Sequence, residues 1–318
     1  MTLNIAIQMD DISSINYNSD STLPLGMEAQ NRGYNIFYYT PDKLSYKNGE
    51  IIAFVHKIKF FADQNHYYEI REGGSVNLRK MDVIFLRQDP PFNMTYLSTT
   101  YLLEQLQPDV LVVNDPVSVR NNPEKIFPTI LKEFMPETLI SADINEIRDF
   151  YTEYKDIVIK PLYGHGGRGI LRLKKDDDNF DSLIEMLFTN SKEPIISQRF
   201  LPEVKGEDKR VIMIDGVAEG VFGRIPSDGN IRANMRVGGQ VIKSELNKKQ
   251  AEICEALNKP LQDKGIIFAG LDFIGNFLTE INITSPTGIK AVEKLENKRL
   301  EKNIWDAIEK RFYIKNRV

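Results

Sequence analysis

The chain has 318 residues, 42% hydrophobic and 27% charged, a balance that belongs to globular proteins and excludes a disordered or fibrous chain. A formal net charge of -4 argues against a general nucleic-acid surface, yet leaves room for a local basic cleft that takes a small anion. One cysteine, Cys254, and three scattered histidines, His56, His66 and His165, exclude an internal disulfide and a cysteine metal cluster and suggest neither a zinc site nor a Ser-His-Asp triad.

The first residues, "MTLNIAIQMD", carry no basic leader, and Leu3, Ile5 and Ile7 alternate like a first strand. No run approaches the roughly 20 apolar residues needed to span a membrane, so a cytoplasmic protein with small-molecule partners is expected. The first third alternates strand and helix signals: "LNIAIQM", a helix through "GMEAQNRGY" ending near Gly33, "NIFYYT", "DVIFLRQD", a helix through "TYLLEQL", and "VLVVND". This order predicts an α/β fold with a mostly parallel sheet. Ligands of such sheets sit beyond the carboxyl ends of the strands, which is where "MDDISS", "RQDPP" and "NDP" fall.

A second unit begins at "NNPEK". Asn122 reads as an N-cap and Pro123 as the first helical position, which puts Lys125 in a first turn, where its charge opposes the helix dipole unless an anion binds. The stretch "VIKPLYGHGGRGI", residues 158–170, follows. It is not a Walker loop, because no Gly-Lys-Ser/Thr ends it, and not a dinucleotide fingerprint, because no helix follows the last glycine. The strand-like runs on both sides predict a glycine-rich turn between two strands, either an ordinary hairpin or a flap over phosphates. Lys160 sits at the inner end of the first strand, where a buried charge needs a partner; it either snorkels to water or holds a phosphate.

The third unit contains "KRVIMIDGVAEGVFGRI", two strands around Asp215 and Gly216. The polar, doubly basic loop from Pro226 to Gln240 is long enough to be a lid or a disordered spacer. Cys254 lies in a helical pattern and reads as a small buried thiol. In "GLDFIGNFLTEINITSPTG", Glu280 and Asn282 are two apart in a strand and share a face. With Asp272 they form an all-oxygen set suited to magnesium. A plain two-residue hairpin at Gly275-Asn276 would set Asp272 opposite Thr279 and turn Glu280 to the other face. The metal reading therefore requires a register shift, by an odd loop or a β-bulge.

Taken in order, "IVIKP", the glycine turn, "QRFLPEVKGEDKRV", "GRIP" and "GLDFIGNFLTEINITSPTG", with "MDDISSINYNSDST", "RQDPP" and "NDPVSVRNNPEK" before them, resemble the ATP-grasp ligases and in detail the bacterial glutathione synthetases, over nearly the whole chain. The resemblance implies an N-terminal domain over residues 1–121, then a two-lobed ATP-grasp module, α+β in character, with a central lid domain at 122–197 and a catalytic domain at 198–318. It implies ATP, γ-glutamylcysteine and glycine as substrates, Mg2+ or Mn2+ as metal, and a homodimer or homotetramer.

By position, the resemblance gives Lys125, Lys160 and Lys209 to the nucleotide, Gly164, Gly166, Gly167 and Gly169 to a small flap, and Gln198, Arg199, Phe200 and Leu201 to the hinge strand that holds adenine. Arg210 and Arg224 would face phosphate or acyl-phosphate oxygens, and Asp272, Glu280 and Asn282 would bind two metal ions. Asp20, Ser21, Arg87, Ser285 and Thr287 would meet the dipeptide, and Arg232 and Asn234 would sit in a large lid. The chain departs from the family pattern at Gln88, where lysine is usual, at Tyr163, where aspartate is usual, and at Lys290, where an arginine would make a bidentate contact that lysine does not reproduce. These departures leave open another ATP-grasp ligase of different substrates, and a non-catalytic ATP-binding regulator is the distant alternative.

Overall fold

The computed structural model describes residues 2–190, 192–227 and 239–315; Arg232 and Asn234 of the expected lid lie outside them. Three sheets follow one another along the chain. The first contains β1 (Asn4–Gln8), β2 (Asn35–Tyr39), β3 (Leu44–Lys47), β4 (Glu50–Phe60), β5 (Tyr68–Asn77), β6 (Val83–Leu86) and β7 (Leu111–Val113). β2, β1, β6 and β7 pair in parallel, and their near-continuous apolar runs are what a sheet covered on both faces requires. α1 (Thr22–Asn31) joins β1 to β2, α2 (Met94–Glu104) joins β6 to β7, and α3 (Pro116–Asn121) follows β7. β3, β4 and β5 extend this parallel core in antiparallel fashion, and the alternating burial of β4 marks a sheet with one wet face.

The helix expected from Asn122 is displaced. Asp115 is the true N-cap, accepting from the Ser118 N–H at 2.8 Å with Pro116 just inside, while Asn122 is the C-cap of α3. Lys125 sits in the turn beyond, and residues 127–134 are 3-10 rather than α. "NDPVS" carries the same start signal as "NNPEK", an Asp or Asn before proline, one segment earlier.

The second sheet, β8 (Thr138–Ser141), β9 (Ile157–Pro161), β10 (Leu171–Leu173) and β11 (Ile195–Arg199), is antiparallel in the order β10-β9-β11-β8. It packs Ile157, Ile159 and Leu173 against α4 (Ile144–Tyr154) and α5 (Phe180–Asn190). The third, β12 (Asp208–Ile214), β13 (Val217–Ile225), β14 (Gln240–Lys243), β15 (Phe268–Ile274) and β16 (Phe277–Asn282), has the order β14-β13-β12-β15-β16. Asp215 and Gly216 turn β12 into β13 with φ of 47° and 86°, the left-handed pair that a tight hairpin needs.

α6 (Lys248–Asp263) buries Cys254 and is closed at its start by a capping box of Asn247 and Gln250. α7 (Ile289–Glu296) and α8 (Leu300–Lys315) end the chain. α8 returns to the first sheet: Trp305 is fully buried and its indole N–H donates to the Leu25 carbonyl at 2.8 Å. The last helix thus completes the core of the first unit. Among the described residues no helix is long and apolar enough to cross a membrane.

Candidate active site

A cleft opens between the second and third sheets. One wall comes from β9, the glycine turn and the end of β11; the other comes from β12, β15 and β16. Strand parity explains which residues reach it. In β12, Asp208 and Arg210 face the cleft side, and alternation sends Lys209 to the opposite face. There the Lys209 ammonium donates to the Glu245 carbonyl at 2.5 Å and to Gln250 Oε1 at 3.0 Å. The nucleotide role expected for Lys209 is therefore corrected: it ties the strand to the start of α6.

The glycine turn joins β9 to the antiparallel β10. Gly166, Gly167 and Gly169 have φ of 61°, 75° and 70°, which a side chain would resist, and a Cβ on Gly169 would lie 2.8 Å from Pro161 Cγ. Gly164 offers its carbonyl to the Lys125 ammonium. Lys125 also pairs with Glu280 Oε1 at 2.9 Å; burial works against its charge, but Glu280, with Glu124 and Asp272, outweighs it and raises the lysine pKa. Among the described residues the Lys160 ammonium bonds the neutral Gln198 Oε1 at 2.7 Å, and burial pushes it down to about 8. Gln198, Arg199, Phe200 and Leu201 all line the cleft. Phe200 is fixed on its other side by the Arg172 guanidinium, 3.5 Å from the ring centroid.

Deeper in, β15 and β16 carry the acidic set. Asp272 stands opposite Glu280 and Gly270 opposite Asn282, with a register shift between Asp272 and Phe273. The turn is the two-residue Gly275-Asn276, and a bulge at Thr279 supplies the shift that the metal reading demanded. Asp272 is buried at 3% exposure. Burial alone would raise its pKa, but Arg210, with Nη2 to Oδ2 at 2.7 Å, and Arg224, with Nη2 to Oδ1 at 2.9 Å, hold it down. Arg224 also grips Asp208 at 2.6 Å. Burial, with Asp272 nearby, nonetheless keeps the Asp208 carboxyl above its usual range.

Among the described residues no three His, Cys, Asp or Glu side chains gather as a metal group; the third oxygen donor here is the amide of Asn282, whose Nδ2 lies 3.2 Å from Asp272 Oδ2. Rotating that amide presents its carbonyl instead. Two carboxylates and an amide oxygen on one sheet face are hard donors, and they fit a magnesium-like ion.

A second cavity adjoins the first and contains Arg210, Arg224, Asn282, Ser285 and Thr287 together with Asp89 and Glu124. Ser285 donates to the Arg87 carbonyl at 3.3 Å. Arg87 is buried at 4% exposure, holds Thr22 Oγ1 through Nε at 3.0 Å, and leaves Nη1 without a partner among the described residues, an orphan donor of the kind that a ligand carboxylate satisfies. Asp20 accepts the Leu23 N–H at 2.7 Å, and burial raises its pKa. Ser21 is corrected. It is fully buried, and its hydroxyl accepts the Gly288 and Ile289 N–H groups at 3.2 and 3.3 Å, capping α7 from the first unit.

Of the departures from the family pattern, Gln88 pairs with Gln8 at 3.2 Å, Tyr163 stacks on Phe92, and Lys290 covers the Tyr17 ring at 3.8 Å. Sequence reading missed Asp208 and Glu124. Asp208 was open to it, because it shares parity with Arg210; Glu124 stood beside Lys125 with no periodic signal of its own.

Residues 3–120 match the family model of the prokaryotic glutathione synthetase N-terminal domain, and residues 124–297 match that of its ATP-grasp domain. The glutathione synthetase of Brucella melitensis is 47% identical over 98% of this chain and 100% of its own length. That of Agrobacterium fabrum is 46% identical over 97% of each. Among solved structures, D-cycloserine synthetase DcsG superposes with a TM-score of 0.68 at 15% identity, covering 97% of this chain and 99% of its own. D-alanyl-alanine synthetase A of Vibrio cholerae gives 0.65 at 12% identity, covering 98% and 99%. At such identities these two speak for the fold alone, whereas the family models and the near full-length relatives settle descent: the chain belongs to the prokaryotic glutathione synthetase family.

Proposed function

We propose that the chain joins γ-glutamylcysteine to glycine at the expense of ATP, releasing glutathione, ADP and phosphate. The observation that carries this reading is the convergence of Lys125, Lys160, Arg210 and Arg224 with Asp272, Glu280 and Asn282 where the nucleotide cleft meets the second cavity. Adenine lies against Gln198 to Leu201, and the phosphates run under the glycine flap toward Lys125 and Lys160. The cysteinyl carboxylate attacks the γ-phosphorus, the bond to the β-phosphate oxygen breaks, and an acyl phosphate and ADP form. Lys160, Arg210 and Arg224 offset charge on the transferring group, because phosphoryl transfer is governed mainly by positioning and electrostatics.

The glycine amine then attacks the acyl carbon, the tetrahedral oxyanion forms beside Arg210, and its collapse expels phosphate. Asp272, Glu280 and Asn282 would hold Mg2+, or Mn2+, which would supply positive charge to offset that of the phosphates. Arg87, with its orphan donor, receives a carboxylate of the dipeptide near Asp20, and Ser285 and Thr287 line its path. The glycine flap keeps water from the acyl phosphate. The domain boundaries at 121/122 and 197/198, a cytoplasmic setting and a symmetric homodimer or homotetramer complete the proposal, on family resemblance.

The direct test is ADP release with Mg-ATP, γ-glutamylcysteine and glycine, each omitted in turn, with the product identified by mass. Release that needs all three and yields the tripeptide is the expected result. ATP binding without release from this pair would redirect the search to other carboxylate and amine substrates, the reading for which Gln88 and Lys290 leave room.

A further inference from the structure

Ile283 directly follows Asn282, and side chains from the segment between the first two sheets hold it at both ends. Its N–H donates to Glu124 Oε1 at 2.9 Å, and its carbonyl accepts from Asn114 Nδ2 at 2.9 Å. Asn114 is buried at 4% exposure. Its Oδ1 accepts the N–H groups of Ile267 and Phe268 at 2.9 and 3.0 Å, and its Nδ2 also donates to the Phe268 carbonyl at 2.7 Å. The last paired residues of β15 and β16 are Gly270 and Asn282. Just past them, the Asn114 amide stands where the next ladder rung would be and ties the start of β15 to the end of β16.

Glu124 holds the chain on both sides of Ile283. Its Oε1 also accepts the Thr284 N–H at 3.0 Å and the Thr284 hydroxyl at 2.7 Å, and its backbone carbonyl accepts the Ile281 N–H at 3.0 Å. Lys125, next in sequence, reaches Glu280 and the flap carbonyl of Gly164. Bonds to Ile281, Ile283 and Thr284 leave Asn282 little freedom, and they fix where the chain enters the loop with Ser285 and Thr287.

We propose that Asn114 and Glu124 are positioning residues of the ligase site: a two-sided clamp on Ile283 that sets the Asn282 amide against Asp272 and aligns the substrate loop behind it. The kinetic consequences rest on the synthetase reading above, whereas the geometric claim does not. Glutamine at position 124 still offers an oxygen to Ile283 and Thr284; alanine offers none. A clamp is therefore rescued by glutamine, whereas a carboxylate that acts by its charge on an amine or proton is not.

The test compares Glu124→Gln and Glu124→Ala in two readouts. The first is the extra rise in Tm that Mg2+ gives over ADP alone, which needs no amino-acid substrate and remains readable if the synthetase reading fails. The second is kcat and KM for each substrate. In Glu124→Ala the Mg2+-dependent increment is expected to fall by at least half, and kcat at least tenfold, with the ATP KM within about threefold of wild type. Glu124→Gln is expected to recover at least a third of both the increment and the turnover.

Should Glu124→Ala not fold, Thr284→Val removes one of the three bonds to Oε1 and is expected to lose part of the increment. Asn114→Asp, which keeps the two acceptor bonds and loses both donor bonds, is expected to behave like Glu124→Ala. A wild-type increment in Glu124→Ala, or in Thr284→Val where that variant stands in for it, overturns the proposal. So does a Glu124→Gln as impaired as the alanine variant.

Discussion

Asp272 and Glu280 face each other across β15 and β16 because Thr279 bulges out of the ladder between them and the turn. Glu280 balances Lys125, while Asp272 balances Arg210 and Arg224, so the two carboxylates do different work. Glu280→Gln is expected to lower kcat about a hundredfold, about 2.7 kcal/mol in the barrier, while leaving the fold in place. Asp272→Asn strips two buried guanidinium groups of a shared carboxylate and is expected to cost about 3 kcal/mol of stability as well. Urea denaturation of both variants beside their turnover separates the roles; equal stability loss in the two would contradict this division.

Lys160 gives the site a pH signature. Its pKa is about 8 in the free protein because burial disfavours the charge, against an ordinary value near 10.5 when unfolded. A lysine shifted down in this way penalises folding fully below about pH 8, and the penalty is relieved as pH rises from there toward 10.5. Phosphate oxygens reverse the shift, so nucleotide binding near pH 8.5 should take up a proton. Calorimetry in buffers of different ionisation enthalpy is expected to show uptake of about three-quarters of a proton in wild type and much less in Lys160→Arg, whose guanidinium stays charged. Equal uptake in the two proteins would place the titrating group elsewhere.

Periodicity in the sequence revealed the parallel strands of the first sheet, the glycine turn between β9 and β10, and the parity that puts Asp272, Glu280 and Asn282 on one face once a bulge is granted. It was poorer wherever the outcome depended on which face a charged residue takes in a strand buried on both sides. Lys209 and Arg210 are adjacent, both cationic and equally buried at 6% exposure, and only the strand pairing decides which of them sees the cleft. Helix starts failed for a related reason: "NDPVS" and "NNPEK" carry the same local signal, and α2, packed beside α3, selects the first. Contacts such as Ser21 with Gly288 or Asn114 with Ile283 join residues more than 160 positions apart, and no local pattern encodes them.

The placement of Lys209 gives a sharp contrast with its neighbour. Lys209→Met removes hydrogen bonds to Glu245 and Gln250 but takes nothing from the cleft. It is expected to destabilise the protein by about 1 to 3 kcal/mol, the cost of leaving buried polar groups unmatched, with the ATP KM within about twofold of wild type. Arg210→Met, one residue on, is expected to reduce turnover by a factor of about a hundred. Steady-state kinetics with thermal denaturation distinguishes them, and a tenfold rise in the ATP KM of Lys209→Met would restore that lysine to the nucleotide site.

Ser21 tests whether the first unit acts on the substrate loop through helix capping. Gly288, at φ 128°, precedes α7 with no side chain to cap it, and the Ser21 hydroxyl supplies the missing acceptor from more than 260 residues away. Ser21→Ala should therefore cost about 1 kcal/mol, as loss of an N-cap does. Because Gly288 follows Thr287 directly, loosening this cap displaces the end of the loop that lines the second cavity. The dipeptide KM is expected to rise about three- to fivefold, with kcat and the ATP KM nearly constant. Ser21→Thr keeps the hydroxyl and is expected to stay closer to wild type in both stability and KM. A Ser21→Ala protein of wild-type stability whose dipeptide KM rises a hundredfold would mean that the hydroxyl binds substrate directly, and the capping account would be wrong.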